Sequence, residues 1–253
     1  MSNKNHFFFG YPGNKRNEIK HIFDTINNYD VEYIVEPFCG TSAFSYHMSL
    51  KHPGRYTYVL NDNNAVLIEL YNIMSDDKKR DEFEIKINDI CSTMDKPIYN
   101  KLDKKTPEGF YIKHKIYNIH PGIYKQDYKY KYINCNEAPI YNFLKNEKII
   151  FTSMNGIDTF NEYKNKNSLI FLDPPYMASC NTGYSNPELN IYEYLCTNDI
   201  CDENAEIILC LEDILIIRLI FKKYTFITYG KKYSNGGRKK TTHTVINNKN
   251  IIV

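Results

Sequence analysis

The residues with the most chemical potential stand where apolar runs stop. SLIFL (168 to 172) ends on Asp173-Pro174-Pro175-Tyr176. Proline fixes φ, donates no backbone hydrogen bond and pushes the residue before it out of the helical region, so a buried strand closes here on a stiff, acidic, aromatic turn. A second run leads into EPFCGTSAF, where Gly40 lets the chain turn tightly and Thr41 and Ser42 open a helix whose first N–H groups can face a ligand. A third ends LND, and an acid in the place of Asp62 commonly accepts hydrogen bonds from ribose hydroxyls. The plainer readings are a strand stop for the prolines, a turn glycine for Gly40 and a helix cap for Asp62. EPFCG lacks the GxGxxG fingerprint, so it is not read as a dinucleotide site.

Such residues meet only if the strands carrying them lie side by side. VEYIVEPF (31 to 38) and RYTYVLND (55 to 62) flank a helix-forming segment, TSAFSYHMSLK, which gives a βαβ unit. NNAVLIELYNIM (63 to 74) reads as a second helix with one apolar face, and KRNEIKHIFDTINN (15 to 28) as another ahead of the first strand. From 75 to 147 lysine and tyrosine dominate, prolines interrupt and no long periodic run appears, so this stretch is expected to be a subdomain inserted between segments 1 to 74 and 148 to 253 of one main domain. The rhythm resumes with KIIFTS (148 to 153), SLIFLD (168 to 173), an acidic helical connection, AEIILCL (205 to 211), a helix over DILIIRLIFKK and YTFITYG (224 to 230). Alternating strands and helices predict an α/β fold with a doubly wound, mostly parallel sheet. The Gly-Gly in YSNGGRKKTTHTVIN suits a closing antiparallel hairpin.

At 253 residues, with 42% hydrophobic and 25% charged residues, the chain can bury a full α/β core. No apolar run approaches the roughly 20 residues of a membrane span, and MSNKNH lacks the apolar centre of a signal peptide, so a soluble, intracellular protein is expected. The seven cysteines are scattered without zinc-site spacing and read as reduced thiols, and no metal is expected. A net charge of +2 conceals strong segregation. Pro187 to Asp213 carries only acids, whereas beyond Asp213 all the charged residues are Lys or Arg, including Arg238, Lys239 and Lys240. That tail can be a phosphate-facing surface or a solvated basic face.

FGYPGNKR (9 to 16), VEPFCGTSAF, VLNDNNAVLIELYN and FLDPPY, in that order, resemble the motifs of the S-adenosylmethionine-dependent DNA adenine N6-methyltransferases. The likeness is to the D12-class, alpha-group enzymes, in which the cofactor motif precedes the catalytic one and the target-recognition region lies between them. Two departures are visible: the family's second motif glycine is Ser42, and its N-terminal Trp-Ala-Gly-Gly is Tyr11-Pro12-Gly13-Asn14. The resemblance implies a Rossmann-like class I methyltransferase fold. It places Tyr11, Lys15, Glu36, Phe38, Gly40 and Asp62 around S-adenosylmethionine, with Asn155 and Asp158 both candidates for fixing the cofactor's adenine.

For the reaction the resemblance implies, the turn has suitable chemistry. The N6 lone pair of adenine is delocalised into the ring, so the amine attacks only when acceptors hold it pyramidal. The Asp173 carboxylate and the Pro174 carbonyl would be those acceptors, Pro175 would stiffen them, and Tyr176 would stack on a base flipped from the duplex. Lysines of the insertion interleave with tyrosines, a mixture that fits phosphate contacts with stacking. Lys113 and Lys115, with Arg238, Lys239 and Lys240, are therefore expected at duplex DNA. A cognate restriction endonuclease is a further expected partner. Competing readings are a non-catalytic nucleic-acid-binding protein on the same fold and an RNA adenine methyltransferase.

Overall fold

A computed structural model describes residues 6–11, 13–116, 130–176, 190–232 and 240–252. Arg238 and Lys239, the Gly-Gly of the hairpin, and Tyr117, Tyr124, Lys125, Tyr128 and Lys129 of the insertion lie outside the described residues. In chain order the elements begin α1 (Ile19–Phe23), β1 (Tyr33–Glu36), α2 (Ala43–Lys51), β2 (Thr57–Asn61), α3 (Ala65–Ser75), α4 (Asp77–Ser92), α5 (Lys96–Lys101), α6 (Pro107–Ile116) and α7 (Ile140–Asn146). They continue β3 (Lys148–Thr152), α8 (Gly156–Tyr163), β4 (Ser168–Leu172), α9 (Asn190–Thr197), β5 (Glu206–Glu212), α10 (Leu215–Ile220), β6 (Tyr224–Lys232) and β7 (Lys240–Ile251). No helix among the described residues is long and apolar enough to cross a membrane.

The chain divides into two compact units, Lys15–Asn63 with Lys148–Val253, and Met1–Asn14 with Asn64–Glu147. The first holds a seven-stranded sheet of order β3-β2-β1-β4-β5-β7-β6. Strands β1 to β5 run parallel, with Val35 opposite both Val59 and Ile170, whereas β7 is antiparallel to its neighbours β5 and β6. This is the Rossmann-like methyltransferase arrangement expected from the sequence. All five residues of β4 are buried, as a central parallel strand covered on both faces requires. On one face Phe171 stacks on Phe44 of α2, with ring centroids 4.8 Å apart. On the other, Ile170 and Leu172 join Phe160, Ile191 and Leu195 in the core formed with α8 and α9.

Two elements differ from expectation. The helix predicted over 15 to 28 contains only Ile19–Phe23. The Glu206 carboxylate, at the start of β5, accepts the backbone N–H groups of Asn27 at 2.7 Å and Asn28 at 2.9 Å, which gives those donors a partner outside the helix. The stretch read as aperiodic contains the 16-residue α4, capped by the Asp76 side chain on Lys79 N–H, with Arg80, Phe83, Ile87 and Cys91 buried at helical spacing. Its many exposed charges hide that stripe.

The second compact unit joins the N-terminal aromatic run to Asn64–Glu147 and so contains α3. Phe9 and Phe83 meet Tyr111 edge-on at 5.4 and 5.6 Å, and Phe7 meets Tyr71 at 5.7 Å. Asn88 of α4 pins the segment that enters at Tyr130. It accepts from Ile133 N–H at 2.8 Å and Tyr130 Oη at 3.0 Å and donates to Ile133 C=O at 2.9 Å.

Two expected outcomes follow from these local structures. Asn88→Ala leaves the Ile133 amide and carbonyl without their side-chain partner, a cost of roughly 2 kcal/mol; hydrogen exchange should show faster exchange at Ile133 while β4 amides keep their rates. Ser42 is the only non-glycine among the described residues with positive φ, 49°. Since a side chain in the left-handed region costs about 1 kcal/mol or more, Ser42→Gly should raise the urea midpoint, by about 0.5–1 kcal/mol of stability.

Candidate active site

The strand order reverses beside β1, with β2 on one side and β4 on the other, and ligands of open α/β sheets bind beyond the carboxyl ends at such a point. The turn leaving β1 is shaped by two left-handed residues, Gly40 (φ 47°) and Ser42 (φ 49°). Ser42 N–H donates back to Cys39 C=O at 2.6 Å, and the turn hangs on β2 through Cys39 N–H to Asn61 C=O at 2.8 Å. The Asp62 carboxylate accepts Gly40 N–H at 3.0 Å, so this acid and the glycine turn form one wall.

Asn61, which sequence reading passed over, ties three strand ends together. It is fully buried. Its Nδ2 donates to Pro37 C=O at 2.9 Å and to Met154 C=O at 3.1 Å. Its Oδ1 accepts from Thr152 Oγ1 and Met154 N–H, each at 2.9 Å. The signal available in the sequence was a second polar residue beside Asp62 at the close of an apolar strand.

At the end of β4 the Asp173 carboxylate is ion-paired through Oδ2 with Lys15, whose side chain is 4% exposed against 15% for Asp173. Burial is the largest single influence and pushes the Lys15 ammonium down, but the charge and hydrogen bond of Asp173, joined by Cys210 and Glu18, together outweigh it and hold the ammonium above its ordinary value. Tyr176 Oη donates to Asp173 Oδ1 at 3.3 Å, and Lys15 Nζ lies 5.3 Å from the Tyr176 ring centroid. Pro175 C=O accepts from Tyr192 Oη at 3.0 Å, which fixes the second proline from α9. Glu36 is buried at the end of β1 and accepts Ser45 N–H at 2.8 Å. Burial pushes its carboxyl up to about 8, with Asp173 adding to the rise and the Ser45 hydrogen bonds and Lys15 opposing it.

The sheet thus brings Lys15, Glu36, Gly40, Asp62, Asp173 and Tyr176 to its carboxyl edge. Phe38 is half-buried against the core. Asn155 caps α8 by accepting Ile157 N–H at 3.0 Å, and Asp158 is exposed in that helix's first turn. Tyr11 belongs to the other compact unit, where its ring meets Phe110 at 6.2 Å and His114 at 5.6 Å. Lys113 is half-buried there, and Lys115 donates to Phe8 C=O at 2.8 Å, so its ammonium is engaged within the unit. Lys240 begins β7 opposite Lys232. Among the described residues no group of three His, Cys, Asp or Glu is placed to hold a metal ion.

Two comparisons with known proteins agree with this arrangement. A family model described as D12 class N6 adenine-specific DNA methyltransferase matches residues 11–137. The chain is also 25% identical over 266 residues to the Type II methyltransferase M.CviBI of Paramecium bursaria Chlorella virus NC1A, a match that covers 94% of this chain and 97% of that one. The family model takes in the glycine turn and Asp62, and the strand order supplies the fold that such motifs need. The chain belongs to the D12 class of N6 adenine-specific DNA methyltransferases.

Proposed function

We propose that this chain transfers the methyl group of S-adenosylmethionine to N6 of an adenine flipped out of duplex DNA, with the base held at the Asp173–Tyr176 turn. The observation that carries this reading is the buried Lys15–Asp173 pair beside the turn joined to Asp62. The donor set suits the cofactor: a carboxylate at the end of β2 for ribose hydroxyls and a left-handed turn where backbone can approach closely. When bound, S-adenosylmethionine supplies an electrophilic methyl group on its sulfonium.

The chain's own residues then have separable tasks. Lys15 sets its positive charge against Asp173, whose carboxylate oxygens are acceptors for the adenine N6–H. Pro174 C=O serves as the second acceptor, so the amine is held pyramidal, and the prolines keep both acceptors fixed before the base arrives. Tyr176 offers its ring face to the base. Asp62 and Gly40 hold the cofactor's ribose end, and Glu36, largely protonated at neutral pH, adds no second negative charge beside Asp173.

The unit formed by Asn64–Glu147 is proposed to read the target sequence, with Lys113 and the basic hairpin at the phosphates. The Type II name of the viral relative favours a place as the modification half of a restriction system, beside a cognate endonuclease and wherever cellular DNA is accessible.

Labelled methyl transfer to adenine in duplex DNA tests the reading, and a protein that binds the cofactor yet methylates no duplex would overturn it. Because removing Asp173 altogether would strand a buried lysine, Asp173→Asn is the cleaner variant. It should lower kcat about 10²–10³-fold, with cofactor affinity within a few-fold by calorimetry. The pH dependence of stability tests the Glu36 assignment. Its folded pKa of about 8 lies above the ordinary 4.5, so the native state keeps a proton that the unfolded chain has lost. That contribution is full below the unfolded value and is lost as pH rises through the folded one. Glu36→Gln should therefore flatten the fall in stability between those two values, a slope of at most about 1.4 kcal/mol per pH unit.

A further inference from the structure

We infer that His243 of β7 is the positioning residue that sets the orientation of the Tyr176 ring. This rests on the reading that Tyr176 carries the flipped base. His243 is fully buried, opposite Glu212 on β5 and Tyr229 on β6. Its ring meets that of Tyr176 edge-on, with centroids 4.9 Å apart and planes at 89°. Its Nδ1 lies 3.2 Å from Tyr176 Oη, and its Nε2 lies 3.4 Å from Thr241 Oγ1.

The directions of these bonds are fixed by their end. A carboxylate paired with an ammonium only accepts, so the Tyr176 hydroxyl spends its one proton on Asp173 Oδ1. Nδ1 must then carry the proton donated to Tyr176 Oη, and Nε2 accepts from Thr241. One tautomer satisfies the chain from Thr241 through His243 and Tyr176 to Asp173. Beneath it, Cys210 Sγ lies 3.9 Å from Tyr176 Oη and 3.2 Å from Tyr229 Oη, and His21 stacks on Tyr229 at 4.8 Å. Burial pushes the Cys210 thiol up to about 11, so it brings no charge to this layer.

A tyrosine in a strand-end turn can swing about two side-chain torsions. Held at its hydroxyl by both Asp173 and His243, and at its edge by the imidazole, the ring presents one plane before any base arrives. The sheet's antiparallel extension thereby reaches the chemistry without touching the substrate.

The test uses the full chain and a duplex that the wild type methylates, with 2-aminopurine in place of the target adenine for the flipping readout. His243→Phe keeps the edge contact and removes Nδ1; Tyr176→Phe removes the hydroxyl. Each should lower kcat about tenfold and shift the 2-aminopurine signal, the double variant should be no worse than the weaker single, and cofactor affinity should be unchanged. His243→Asn, which can present an N–H near the place of Nδ1, should recover most of the activity. Additive losses, or a His243→Phe enzyme with wild-type kcat and signal, would overturn the inference. Should His243→Phe fail to fold, wild-type kcat in Tyr176→Phe would overturn it from the other end of the bond. Tyr176→Ala separates the two levels: full activity there removes the base-platform reading itself, whereas loss there with a normal His243→Phe enzyme removes only the role of His243.

Discussion

A lysine and an aspartate buried together at the end of β4 constrain much of what surrounds them. Either ion alone in that environment would lose its hydration without recompense, and together they are stable only where further hydrogen bonds complete both. Lys15 approaches from the segment before α1, Asp173 from the central strand, and Tyr176 closes the second carboxylate oxygen. The double proline stiffens the turn that carries the aspartate.

The second wall of the site depends on hydrogen bonds of Asp62 and Asn61. Asn61 satisfies its carboxamide wholly with groups from the ends of three strands, so the turns after β1, β2 and β3 are locked in common. Ser42 holds the same turn in a left-handed conformation that glycine adopts at lower cost.

Much of the sheet was legible because parallel strands must be apolar on both faces, and SLIFL, YVL and EIILCL cannot be mistaken for surface. The residues at strand ends were legible from the same logic. What escaped was long-range or disguised. Lys15 and Asp173 are 158 positions apart, and nothing local announces their pairing. The stripe Arg80, Phe83, Ile87, Cys91 includes an arginine whose charge is met by Asp77 and Asp81, so α4 does not read as amphipathic. His243 sits among basic and hydroxyl residues that suggest surface, yet it is fully buried on a strand flanked by β5 and β6.

The order of the strands also carries a consequence for synthesis. β7 lies between β5 and β6, so when β6 leaves the ribosome the edge of β5 is still unpaired and β6 has no neighbour in the sheet. Both remain exposed until residues 240 to 251 have been made and insert between them, a non-local pairing of the kind that folds slowly and leaves strand edges open to other chains. Since His243 arrives on that inserting strand, the turn at Asp173 cannot be completed while the nascent chain is shorter. The enzyme's protection against intermolecular strand pairing and the completion of its site are therefore one folding event.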